Sequence, residues 1–133
     1  MPRQKLTSAS LTPLELEIMN VLWDTGPANV QTVQARLRGR DLAYTTVQTM
    51  LNVLHRKGRV KRRLKERAFL YSPLLSRQKA VTQAVGDMIE RFFGGSADSL
   101  VVNLVETRKL TPERLAKLQK LVEQPKEATH GNG

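Results

Sequence analysis

The chain has 133 residues, 40% of them apolar and none of them cysteine, with 22 Lys and Arg against 12 Asp and Glu for a formal net charge of +10. That length fits one ordinary domain with a modest core and excludes a multidomain machine. The missing thiols exclude disulfides, Cys-ligated zinc and Cys nucleophiles, while the positive surplus points to a polyanionic partner. Residues 1–75 carry 13 basic and 5 acidic side chains and residues 76–133 carry 9 and 7, so the excess charge belongs to the first part. No run of about 18 apolar residues occurs and no signal-peptide pattern opens the chain, which gives the expectation of a cytoplasmic protein without a membrane span.

In chain order, residues 1–10 read as a flexible basic arm. Thr12-Pro13-Leu14-Glu15 is a helix start, with Thr as N-cap, Pro in the first turn and Glu placed to bond back to the cap. Leu14, Ile18, Val21 and Leu22 then form one apolar stripe, and Gly26-Pro27 ends the helix. Asn29 caps a short second helix with Val30, Val33 and Leu37 at helical spacing, and Gly39 ends it. A third helix runs from Tyr44 to about Lys57 with Val47, Met50, Leu51 and Leu54 inward, and Gly58 stops it. The period then changes to two: Val60 to Lys65 and Ala68 to Tyr71 read as antiparallel strands turned at Lys65-Glu66-Arg67, with Pro73 closing the unit. Ser76 begins a long helix through Phe93, broken by Gly94-Gly95. Ser96 caps a helix from Ala97 to about Glu106, and Thr111-Pro112 opens a last one. From Pro125 the chain reads as a polar, disordered tail.

Three short helices followed by a hairpin is the order of a winged helix, whose third helix enters the major groove. The expected fold class is therefore mainly α with a small β-hairpin wing. Residues 11–74 make the winged helix-turn-helix domain, 75–124 a helical dimerisation region, and 125–133 the tail. With Val47, Met50, Leu51 and Leu54 inward, Thr45, Gln48, Thr49 and Asn52 project outward as base readers, since Gln and Asn suit adenine and the Thr methyl suits the thymine methyl. Thr46 fits a phosphate contact near the helix start. Eight cations crowd the next segment, Arg56, Lys57, Arg59, Lys61, Arg62, Arg63, Lys65 and Arg67, against one acid, Glu66. All eight are expected on the phosphate backbone. Trp23 and Phe69 read as core, leaving Tyr44 and Tyr71 as the aromatic candidates for stacking. A nonspecific architectural nucleic-acid binder is the alternative that this charge leaves open.

The helices after Ser76 hold many apolar residues in too short a segment to bury them alone. Phe92, Phe93, Leu100, Val101, Leu104, Val105, Leu115, Leu118 and Val122 are the candidates for packing against a second copy, with folding back within one chain as the other solution. An enzyme would need a nucleophile, base or metal site, yet the histidines are His55 and His130 only, and no phosphate-binding Gly frame is present. No catalysis, metal or cofactor is expected.

Several segments carry a resemblance across residues 11 to 123: Leu11-Thr12-Pro13-Leu14-Glu15-Leu16-Glu17-Ile18-Met19 with Leu22-Trp23, Tyr44-Thr45-Thr46-Val47-Gln48-Thr49-Met50-Leu51, Lys57-Gly58, Phe69-Leu70-Tyr71-Ser72-Pro73, and Phe93-Gly94-Gly95-Ser96 through Ser99-Leu100-Val101-Val102-Asn103-Leu104-Val105-Glu106. In these it resembles the penicillinase repressors of the BlaI/MecI type. The resemblance implies a bacterial homodimer that binds a palindromic DNA operator and represses β-lactam resistance or other stress genes. It also implies relief of repression by a sensor-linked protease acting at Asn103-Leu104, where the family's well-known members carry Phe in place of Leu104.

Overall fold

The computed structural model describes residues 10–37 and 39–124. The expected arm, apart from Ser10, and the expected tail lie outside the described residues. The order is α1 (Pro13–Thr25), α2 (Val30–Arg36), α3 (Tyr44–Arg56), β1 (Val60–Lys65), β2 (Ala68–Pro73), α4 (Arg77–Phe93), α5 (Ala97–Glu106) and α6 (Pro112–Glu123). This is the mainly helical architecture with one hairpin expected from the sequence.

Local chemistry sets the element ends. Thr12 and Glu15 form the reciprocal cap of α1: Thr12 N–H donates to Glu15 Oε1 at 2.9 Å and Glu15 N–H donates to Thr12 Oγ1 at 3.2 Å. Asn29 Oδ1 accepts from Thr32 N–H at 2.9 Å to start α2. α3 ends at Gly58, whose φ of +77° lets Arg59 N–H return to Leu54 O at 2.9 Å. The two residues between β1 and β2, Glu66 and Arg67, have φ of +50° and +72°. Positive φ at both positions is the hairpin geometry that matches strand twist, and most sequences reach it with Asn-Gly rather than a glutamate and an arginine.

The chain forms two compact units, one reaching Asp87 and one from Met88 onward. The first holds a core of Ile18, Met19 and Leu22 from α1, Val30 and Val33 from α2, Val47, Leu51 and Leu54 from α3, and Val60 and Tyr71 from the hairpin. Ala28 exchanges both backbone bonds with Tyr71, at 3.0 and 2.8 Å, and so ties the start of α2 to β2. The core continues past Pro73, with Leu75 buried and Ala80 packed against the cluster. Truncating any of the fully buried aliphatic side chains to Ala costs about 2–5 kcal/mol. In the second unit, neither α5 nor α6 contains a buried residue, and α4 contains none either.

Two aromatic expectations are corrected. Tyr71 is a core residue, 2% exposed, while Phe69 is 39% exposed. They share one face of β2, but Tyr71 lies at the wing's base over the core and Phe69 lies nearer the tip. Trp23 is half-buried and donates its indole N–H to Leu75 O at 2.9 Å.

Candidate nucleic-acid interface

α3 is strongly two-sided. Val47, Leu51 and Leu54 are buried, whereas Thr45, Thr46, Gln48, Thr49 and Arg56 are exposed. Thr45, Thr49 and Arg56 recur at helical spacing along one outward stripe, with Gln48 beside it. The helix starts at Ala43 with no side-chain cap bond. Thr46 N–H returns to Ala43 O at 3.1 Å, and ahead of it the N–H groups of Tyr44 and Thr45 suit an outside acceptor such as a phosphate oxygen.

The wing supplies charge. Register pairs Lys61 with Ser72, Arg63 with Leu70 and Lys65 with Ala68, so Lys61, Arg63 and Lys65 stand together on one face of β1, all exposed. Arg67 is exposed at the turn. Between α2, α3 and the hairpin lies a cleft of about 340 Å³ whose lining includes Asn29, Gln31, Tyr44, Gln48, Arg67 and Phe69. Gln31 and Phe69 were not anticipated at such a site. Their signal, a polar residue in the first turn of α2 and an aromatic near the wing tip, has no meaning until the tertiary fold brings them to Gln48.

Several expected contacts have partners inside the protein. Lys57 Nζ donates to Glu15 Oε2 at 2.8 Å, and Glu15 is 2% exposed. Burial pushes the Glu15 carboxyl up, but the bonds from Lys57 and from Thr12 N–H outweigh it and hold the group below its ordinary value. Lys57 thus has a buried acid as its partner within the fold. Arg62, on the opposite face of β1 from Arg63, donates to Asn52 Oδ1 at 2.9 Å. Arg59 is half-buried with its Nε enclosed. Arg40, in the loop before α3, forks onto Glu17 with bonds of 2.7–3.1 Å, which hold the Glu17 carboxyl low and the guanidinium high. Of the eight clustered cations, Arg56, Lys57, Lys61, Arg63, Lys65 and Arg67 are exposed, Lys57 being the one bonded to Glu15.

A polar helix face beside this concentration of positive charge is the footprint of a double-helix reader. The model of one family, described as penicillinase repressor, matches residues 11–124. The chain belongs to the penicillinase repressor family. It is accordingly a DNA-binding repressor of transcription and not an enzyme. The repressor is 37% identical over 125 residues to the transcriptional regulator BlaI of Mycobacterium tuberculosis, covering 92% of this chain and 88% of that one. It is 28% identical over 117 residues to the penicillinase repressor of Bacillus licheniformis, covering 87% and 91%. Among solved structures it is similar to a MarR family protein from Bacillus stearothermophilus, with a TM-score of 0.47 and 21% identity over 80% of this chain and 77% of that chain.

Proposed function

We propose that the repressor acts as a homodimer on a palindromic operator, with α3 of each copy in the major groove and each wing on the flanking backbone. The observation that carries the reading is the outward stripe of α3 beside the exposed cations Arg56, Lys61, Arg63, Lys65 and Arg67 within one compact unit. In this reading Thr45, Gln48 and Thr49 read base edges, Thr46 and the uncapped start of α3 meet phosphate, and Arg56, Lys61, Arg63, Lys65 and Arg67 neutralise phosphates.

The helical region supplies the second copy. Its apolar residues find no core of their own: Phe92 is 74% exposed, Leu121 61% and Val122 71%, with Val101 and Val102 also exposed. Phe93, Leu100, Leu104, Val105, Leu115 and Leu118 are half-buried. Exposed apolar side chains in this number are stabilised by a self-complementary partner. Val102 and Leu121 join the residues expected at that contact. Two linked readers bind with an avidity that one lacks, so cutting the link releases DNA without touching α3.

We infer that such a cut, by a sensor-linked protease, falls at Asn103-Leu104, the position that the family resemblance implies. Both residues sit inside α5, where Asn103 O accepts from Thr107 N–H at 2.9 Å and Leu104 O accepts from Lys109 N–H at 2.9 Å. Proteolysis there proceeds through a local opening of α5.

The test is binding to the gene's own upstream DNA against a random duplex of equal length, at two salt concentrations. A preference of about 1,000-fold or more supports the operator reading. Equal binding to both duplexes with a steep salt dependence would favour the architectural alternative.

A further inference from the structure

The wing is tied to α3 through one side chain. Asn52 Oδ1 accepts from Arg62 Nη1 at 2.9 Å and from the Tyr71 hydroxyl at 3.3 Å. The Arg62 guanidinium lies over the Phe69 ring, 4.2 Å from its centroid, and Phe69 meets Tyr71 edge to face at 6.3 Å. In register Arg62 stands opposite Tyr71 and Leu64 opposite Phe69, so this cluster occupies the face of the hairpin away from Lys61, Arg63 and Lys65. Both strands are therefore held by Asn52.

We propose that Asn52 and Arg62 are positioning residues that set the wing against the reading helix, and that neither contacts the nucleic acid as a reader or a phosphate ligand. An amide oxygen offers two acceptor sites, and Arg62 and Tyr71 take both. Bidentate recognition of adenine needs that same oxygen to accept from N6 while the amide nitrogen donates to N7. Because a guanidinium is donor-only, it also fixes which end of the Asn52 amide faces the wing. Arg62 in turn has its flat face on Phe69 and a donor on Asn52. A two-stranded hairpin is marginal by itself, so a wing without this tether must be ordered at the moment of binding.

The proposal rests on the DNA-binding reading for its consequences but not for its geometry, and the two are tested apart. In the free protein, nuclear magnetic resonance of the Arg62 guanidinium should show slowed rotation and resolved N–H signals. These collapse in Asn52→Leu, or in Asn52→Ala where Leu disturbs the fold. Fully averaged Arg62 signals in the unmodified chain would overturn the tether. On a random duplex, Arg62→Ala and Asn52→Leu should each lower affinity by about 2- to 10-fold at every salt concentration, in parallel with the unmodified protein. Combining them should add nothing further, because they break one unit. Arg62→Lys keeps the charge but loses the planar face and fork, and should not restore binding. A salt slope lowered by about 0.9 in Arg62→Ala and recovered in Arg62→Lys would make Arg62 a phosphate ligand instead. Failure of the unmodified chain to bind any duplex counts against the DNA reading alone, since the resonance measurement decides the tether.

Discussion

Replacing Lys61, Arg63 and Lys65 together by Ala removes three of the five cations assigned to phosphates without disturbing the core. All three side chains stand on the solvent face of β1, where substitutions change stability by about 0.5 kcal/mol or less. Each phosphate neutralised on duplex DNA contributes about 0.9 to the slope of log affinity against log salt. Five contacts per reading unit give a slope of about 4.5, and the triple variant retains about 1.8. Over a fourfold rise in salt, from about 50 to 200 mM, affinity per reading unit then falls about 500-fold for the unmodified chain and about 12-fold for the variant. A dimer with both units engaged doubles each slope. Fluorescence anisotropy of a labelled random duplex, titrated across that range, measures both slopes without knowledge of the operator. Equal slopes would refute the placement of this face on the phosphate backbone and leave Arg56, Arg67 and the α3 stripe as the whole electrostatic contact.

Gln48→Ala should lower the preference for upstream over random DNA by about 1–3 kcal/mol while leaving the salt slope unchanged, and competition binding at fixed salt reads this directly. Arg67→Gly should stabilise the fold by about 0.5–1 kcal/mol, because its φ of +72° suits Gly, yet weaken DNA binding by the loss of one cation; urea unfolding and anisotropy should move in opposite directions. Glu15→Gln should cost about 1.5–3 kcal/mol at neutral pH through the charge-assisted bond to Lys57. Because the folded carboxyl titrates below its ordinary value of 4.5, its stabilisation is present above that value and is lost as pH falls through the folded one. Urea midpoints of the two proteins should therefore converge in acid, and a gap that persists at every pH would contradict the ion pair. Phe92→Glu puts a charge on a residue 74% exposed in the single chain, so the chain should still fold while sedimentation shows a halved mass.

Much of this architecture is legible because it is local. Thr12 and Glu15 stand three apart and cap one another, the α3 stripe follows from spacing, and the change to period two announces the wing. What spacing cannot show is which polar groups spend their bonds within the fold. Lys57 meets Glu15 across 42 residues, and Arg62 meets Asn52 only after the hairpin folds back on α3. A lysine in a basic run reads as solvent-facing unless the buried acid beside it is known, and that acid reads as a simple helix cap. The exchange of roles between Phe69 and Tyr71 has the same origin. Alternation places them on one face, but only the position of the core beneath β2 decides which of them is covered.

Two of the local rules that the chain breaks lie on the reading unit. Thr12, Asn29, Ser96 and Thr111 cap their helices with side-chain oxygens, while α3 alone of the helices with a described N-cap begins at a residue that offers none. The hairpin turn places Glu66 and Arg67 in the left-handed region where glycine or asparagine is easier. Each departure costs about 1 kcal/mol in folding terms. At the start of α3 the exposed Tyr44 and Thr45 present the first N–H groups to an anion, and at the turn Arg67 lines the same cleft as Gln48. The buried acid and the wing tether meanwhile take a bond each from Lys57 and Arg62. The division of charge is therefore structural: Lys57 and Arg62 are bonded within the reading unit, while Arg56, Lys61, Arg63, Lys65 and Arg67 are exposed where a polyanion is met.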